Sequence, residues 1–332
     1  MKHLMILLLL VSITCTACTA LPAEERAFAV VLGVEKAGAA WRMHGRIPTY
    51  QTGGGYLTVT GEGETIAAAL ASLDAAAPMH LHLSQLRLLV LDEKLGQSQD
   101  AFLLLHELSD RLDIRQHCAV AVTDTPMQTL MEALKPAAGA RLSKAVDILL
   151  DTRAEQGMVL PATLADVIRM EERQSPVLIA LALEGSDLSL AGGYPVNQQM
   201  RLAGRLTPEE TELLSLLRGE TKGLHLTLPA GSAQIRDVSA KVRLSEDRKS
   251  ARVELSLRAV SSTYTPEGLA QTLADACLPL LARLSREGCD ALGLGRQAIL
   301  RAEDMAAWHA LNWPEAYPKI TWSVAVQVQG PA

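Results

Sequence analysis

Aromatic residues are scarce in this chain of 332, with two Phe, four Trp and five Tyr making 3% of the whole. A surface that stacks nucleic-acid bases on rings is therefore excluded as its organising feature. An excess of positive charge is missing as well, since 31 Lys and Arg stand against 37 Asp and Glu for a formal net charge of −6. Non-specific nucleic-acid affinity comes mainly from Lys and Arg displacing counterions, so no nucleic-acid partner is expected. Five Cys are too few for a disulfide scaffold at this length. The 23 Gly and 15 Pro follow no period, and 20% charged beside 48% hydrophobic residues fits neither a solvated chain nor a long heptad rod. What is left is a folded globular chain, long enough for two or three compact domains. Its acidity is uneven. Residues 18–200 hold 14 Lys and Arg against 22 Asp and Glu, whereas residues 201–332 hold 16 against 15.

Long apolar runs are absent except at the start, where Lys2 and His3 precede the run Leu4 to Ile13. Ten residues in a helix reach about 15 Å, half of a bilayer's hydrocarbon core, so this reads as a secretory signal and not as a permanent span. The following Cys15-Thr16-Ala17-Cys18 resembles a bacterial lipobox, with small Ala17 before the cut and Cys18 as the thiol that takes the lipid. Cys15 as the acceptor fits worse, and plain cleavage near Ala20 is the alternative. Cleavage before Cys18 removes residues 1–17 and leaves a chain held outside the cytoplasmic membrane by acyl chains, two or more of which hold firmly.

Periodicity then gives mixed structure. Strands are expected over Ala27 to Glu35, Trp41 to Ile47 and Tyr56 to Gly61, followed by an Ala- and Leu-rich helix from Thr65 to Ala76 that Pro78 ends. Leu86 to Leu91 and Cys118 to Val122 read as buried strands flanking a helix with Ala101, Leu104, Leu105 and Leu108 on one face. From Thr125 to Arg173 the pattern is helical, with Thr125 as cap and Pro126 in the first helical position. Pro176 to Leu183 is again a strand, and Gly192-Gly193, Pro195 and Asn197 read as hairpin turns. Thr207 caps a helix through Arg218, three strands follow, Pro266 opens a long helix kinked where Pro279 removes a backbone donor, and Ile320 to Val328 closes the chain as a strand.

Chemical motifs are few. His80 and His82 project from one side of a strand, and His106 could complete a metal set, but an exposed His pair is the simpler account. Gly53-Gly54-Gly55 lacks the Gly-Lys-Ser/Thr of a phosphate loop, and Gly293 and Gly295 follow a helix, the wrong context for a dinucleotide. Neither Gly-x-Ser-x-Gly nor His-Glu-x-x-His occurs, so no catalytic residue and no cofactor are assigned. Cys118, Cys277 and Cys289 are expected as buried free thiols, because one helix between the last two would hold them about 18 Å apart.

Several segments together resemble the Ger(x)C family of spore germination lipoproteins, the C subunits of nutrient germinant receptors. They are Val59-Thr60-Gly61-Glu62-Gly63-Glu64-Thr65-Ile66, the helix Thr207 to Arg218 after a hairpin, Asp290-Ala291-Leu292-Gly293-Leu294-Gly295, and Trp308 before a terminal strand closing at Gly330. The resemblance covers nearly all of the chain after the signal. It implies an α+β fold of three mixed sheet-and-helix domains after a lipoprotein signal peptide. These are residues 1–17 for the signal, 18–122 for an N-terminal α+β domain, 123–205 for a helix-rich middle domain and 206–332 for a C-terminal α+β domain. It also implies a non-enzymatic role beside two polytopic membrane subunits, on the outer face of the spore inner membrane, in starting germination when small nutrients arrive. The competing reading is a lipid-tethered solute-binding protein, which would normally fold as two doubly wound lobes.

Overall fold

The apolar runs of the first two thirds assemble into one seven-stranded sheet. The computed structural model describes residues 25–49, 55–111, 113–135, 142–170 and 174–330. The expected signal, Cys15, Cys18, Gly53 and Gly54 lie outside the described residues. In chain order the elements are β1 (Arg26–Phe28), β2 (Val31–Ala37), β3 (Ala40–Thr49), β4 (Gly55–Gly63), α1 (Ile66–Ala76), β5 (His80–His82), β6 (Leu88–Asp92), α2 (Glu93–Gly96), α3 (Asp100–Ser109), β7 (Ala119–Thr123), α4 (Met127–Ala133), α5 (Leu142–Glu155), α6 (Leu164–Ile168), β8 (Val177–Glu184) and β9 (Asp187–Pro195). The sheet order is β4-β3-β2-β6-β7-β8-β9, while β1 and β5 form a small parallel pair. Its centre, β2-β6-β7-β8, is parallel and its flanks are antiparallel.

Parallel strands covered on both faces read as continuous apolar runs, which is what Leu88–Leu91 and Ala119–Val122 are. On one face Leu32, Leu89 and Val120 pack with Leu73 of α1 and Leu104 and Leu108 of α3. On the other, Val31, Val90 and Ala121 pack with Met127 and Met131 of α4 and Val146 of α5. The sheet takes strands from both sides of residue 122, since β7 pairs with β8. The helix-rich stretch 123–205 therefore contributes β8 and β9 to the same sheet as the residues before it.

Gly61 and Gly63 explain the Val59 to Ile66 segment. A Cβ on Gly61 would lie 2.2 Å from the Leu73 nitrogen, and one on Gly63 2.4 Å from the Ala69 nitrogen. The helix backbone of α1 thus rests directly on β4, and only strand residues without a side chain admit it. Thr65 begins that helix by accepting the Ala68 N–H.

The last third forms α7 (Pro208–Arg218), β10 (Gly223–Leu228), β11 (Gly231–Leu244), β12 (Ser250–Ser262), α8 (Pro266–Arg286), α9 (Leu294–Leu300), α10 (Met305–Leu311), α11 (Trp313–Ala316) and β13 (Thr321–Gln329). The four strands lie in chain order, antiparallel until β13, which runs parallel to β12. One face carries Val253, Leu255 and Leu257 into a core with Leu214 and Leu217 of α7 and Leu269 and Leu273 of α8. Thr207 and Glu210 make a reciprocal capping box at the start of α7, and Gly219 ends it in the left-handed region at φ 67°. The long helix α8 runs unbroken through Pro279.

The mixed α and β content, with helices packed on two large sheets beside the small β1–β5 pair, agrees with the expected α+β class. Two local expectations are corrected. Gly192-Gly193 and Pro195 are part of strand β9, and the turn of that hairpin is at Gly185, φ 66°. Pro126 takes the N-cap position before α4 instead of the first helical one, and Thr125 does not cap, its N–H donating to Thr123 Oγ1.

Candidate functional site

The Asp290 to Gly295 segment forms a buried polar junction between the two sheets. Asp290 is 5% exposed, and its carboxylate accepts the N–H groups of Leu294 at 2.8 Å and Gly295 at 2.5 Å. It thereby satisfies the first donors of α9, which the N-cap Gly293, at φ 70°, cannot reach with a side chain. Gly295 has a steric reason, because a Cβ there would lie 2.8 Å from Trp313 Nε1 and 3.1 Å from Asp290 Oδ2. Burial raises the Asp290 pKa from its ordinary value, and the donors of Gly295 and Leu294 oppose that rise.

Arg218 closes the junction from the end of α7. Its Nε donates to the Ala291 carbonyl at 2.9 Å and its Nη2 to the Ser175 carbonyl at 2.7 Å. The Ser175 N–H in turn donates to the Asp290 carbonyl at 2.8 Å. One guanidinium therefore joins the segment leading into β8 of the first sheet to the loop before α9. Burial lowers the Arg218 pKa, opposed by the negative charges of Glu220, Asp290 and Asp166. Beneath this, Tyr317 donates to the Cys289 carbonyl at 2.7 Å and Trp322 Nε1 to Ser285 Oγ at 2.6 Å.

Two clefts flank the junction. One, of about 210 Å³, is lined in part by Asp166, Gln174, Arg218 and Glu220; the other, of about 410 Å³, by Gln174, Leu292, Gly293 and Arg296. Gln174 lines both and donates to Glu220 at 3.0 Å. The arrangement has the character of a structural lock, with its charged groups engaged mainly by backbone.

The residues weighed from sequence are scattered. His80 is exposed and 3.7 Å from Asp74, His82 faces the Phe28 ring at 5.9 Å, and His106 stacks edge-on with Phe102 at 4.3 Å. Among the described residues no group of three metal-ligating side chains assembles. Cys118, Cys277 and Cys289 are buried and free. Burial pushes the first two up to about 12 and the third higher, away from nucleophilic thiolate. Local sequence does not announce the Arg218–Asp290 junction: Arg218 reads as a charge matched to its helix dipole, and nothing local ties it to a residue 72 positions on. The lone Asp before Leu-Gly-Leu-Gly was the available signal, a carboxylate in position to cap a short helix.

Comparison with known proteins agrees with this architecture. The model of the spore germination protein N-terminal domain matches residues 20–183, and that of the spore germination B3/GerAC-like C-terminal domain matches residues 193–329. Among curated proteins no sequence match was found. Among solved structures, one titled as the crystal structure of the GerBC protein is similar in fold with a TM-score of 0.57 at 14% identity, over 90% of this chain and 96% of that one. With both domains matched in order along nearly its whole length, the chain belongs to the GerAC family of spore germination proteins.

Proposed function

We propose that this chain is the non-catalytic C subunit of a nutrient germinant receptor, held by a lipid on Cys18 at the outer face of the spore inner membrane and acting with two polytopic subunits. The observation that carries this reading is the tandem match of both germination domains across residues 20–329. Among the described residues no helix is long and apolar enough to cross a membrane. In the proposed complex the tether and the surface of the fold make the contacts with membrane partners. A tether confines the chain near its partners at an effective concentration of about a millimolar. A contact of only about 4 kcal/mol is then roughly half occupied.

Fatty-acid labelling tests the anchor: wild type should be marked and Cys18→Ala should not, and a label that persists in the variant sinks the assignment. Detergent extracts of spores should yield the chain with two polytopic proteins, and deletion should abolish or sharply slow the nutrient response. Recovery as a lone monomer together with an undisturbed response refutes the receptor role. Heat of binding to free amino acids or sugars, found by calorimetry in that same circumstance, would favour the solute-binding alternative.

A further inference from the structure

The outward face of the second sheet carries charge that its fold does not explain. The core side of β12 is Ala251, Val253, Leu255, Leu257 and Ala259, so Arg252, Glu254, Ser256 and Arg258 point the other way. On β11 their register partners are Arg243, Lys241, Ser239 and Arg236. Five cations thus stand on two adjacent strands against two carboxylates, Glu254 and Asp237. The outward positions of β13, from Ser323 to Gln329, are uncharged. The cationic side chains here are open to solvent, with Arg243 66% and Arg252 61% exposed.

Register sharpens the point. Arg243 lies directly opposite Arg252, and Arg236 directly opposite Arg258. Like charges in that relation destabilise a sheet, and opposite charges would stabilise it. The two carboxylates relieve this only in part. Glu254 is shared, 3.6 Å from Arg243 and 3.5 Å from Arg252, and Asp237 pairs with Arg258. Between the rows runs a shallow groove of about 320 Å³ lined by Ser239, Lys241, Arg252, Glu254, Ser256 and Gln327 among others. The face therefore concentrates positive charge in a chain whose net charge is −6.

We propose that this face of β11 and β12 docks on an anionic phospholipid surface. Charge complementarity selects an anionic occupant. The choice of lipid follows from the character of the face, which is open, polar and without the buried aromatic anchors that centre a protein interface. It rests on the tether proposed at Cys18 for proximity to a bilayer, whose anionic headgroups attract Lys and Arg within a Debye length. Net of the two carboxylates, three positive charges at about fivefold each favour an anionic over a neutral surface by about a hundredfold.

The test uses residues 18–332 carrying Cys18→Ser, which keeps every described residue and has no lipid of its own. Co-sedimentation with phosphatidylglycerol vesicles should exceed that with phosphatidylcholine vesicles about a hundredfold and weaken with added salt. It should be lost in the double variant Lys241→Glu, Arg252→Glu, whose far-ultraviolet circular dichroism and melting confirm its fold. Equal binding to both vesicles, or undiminished binding by a folded double variant, overturns the proposal. So does binding of wild type to polyglutamate but not to vesicles, which would assign the face to an acidic protein segment. A failure of the Cys18 assignment appears in fatty-acid labelling and leaves these binding curves unaffected.

Discussion

Replacing Gly61 by Ala adds one methyl group to β4, at the place where α1 rests on it. That methyl would meet the Leu73 nitrogen at 2.2 Å, the Leu73 Cα at 2.5 Å and the Ala69 carbonyl oxygen at 2.7 Å. All three are backbone atoms of one helix, so no rotamer change relieves them, and α1 must retreat by about 1 Å to restore ordinary contact. A gap of that size forfeits a quarter to a half of each dispersion contact made by Leu73 and Leu70, and overpacking of this kind costs about 1–3 kcal/mol. Against it stands the gain from replacing a strand Gly by Ala, about 0.5–1 kcal/mol. The clash wins, and a net loss of about 1 kcal/mol should lower the melting temperature by about 2–4 °C. Gly45→Ala in β3 is the control, because its nearest neighbour is the Val59 methyl at 3.3 Å, the end of a side chain that can give. Thermal melts followed by circular dichroism compare both with wild type. Should Gly61→Ala melt at or above Gly45→Ala, the close approach of α1 to β4 is wrong.

The remaining predictions concern the junction and the buried titratable groups. Arg218→Ala removes two charge-assisted hydrogen bonds to the Ser175 and Ala291 carbonyls and should cost about 3 kcal/mol in urea unfolding, with Arg218→Lys recovering little, since one ammonium lacks the planar fork that reaches both; a loss below about 0.5 kcal/mol would count against the lock. Glu212 on α7 is raised to about 7 from its ordinary 4.5, mainly by burial and then by Glu209. Because folding disfavours its charged form, its contribution is best below pH 4.5 and is lost as pH rises through about 7. Glu212→Gln should therefore flatten the decline of melting temperature across that window, and an unchanged slope refutes the assignment. Cys118, Cys277 and Cys289 should react with a thiol reagent at neutral pH only after denaturation, and rapid labelling of the native chain would contradict their burial.

Local signals in the sequence translate well where the physics is local. Thr65, the Thr207–Glu210 box and Pro266 mark helix starts because capping depends on residues three apart. The buried central strands declare themselves by Leu, Val and Ala runs. Gly192-Gly193 misleads because the same residue type serves two needs. It looks like a turn, but Gly192 lies in a strand at φ 101° with the Leu206 carbonyl where a Cβ would be, 2.0 Å away. The shared seven-stranded sheet is hidden for another reason. β7 and β8 are parallel neighbours separated by more than 50 residues, and no hairpin turn announces such a pairing. Arg218 and Asp290 meet for the same reason, through topology and not through spacing. The lipid site proposed at Cys18 rests on residues 15–18 alone and lies outside the described residues.

Two sheet modules in one chain move relative to each other unless their interface prevents it. Apolar contact alone would do this poorly, because burial is non-directional and tolerates sliding. Here Leu160, Val177 and Leu206 carry the second core up to the first sheet, and directional bonds then fix the position. Arg218 reaches one carbonyl on each side, the Ser175 N–H donates to the Asp290 carbonyl, the Gln198 N–H to the Gly288 carbonyl, and Gly193 and Leu206 exchange N–H groups and carbonyls. All of these acceptors are backbone carbonyls, which cannot swing away as a side chain can. An orientation set in this way gives the first sheet and the charged face of β11 and β12 a constant relation. For the docking proposed above, a flexible joint would present that face in only a fraction of its conformations, and the apparent affinity would fall by that fraction. Burying Asp290 and Arg218 is unfavourable by desolvation in each case, and their hydrogen-bond partners offset that cost while fixing the geometry between the two sheets.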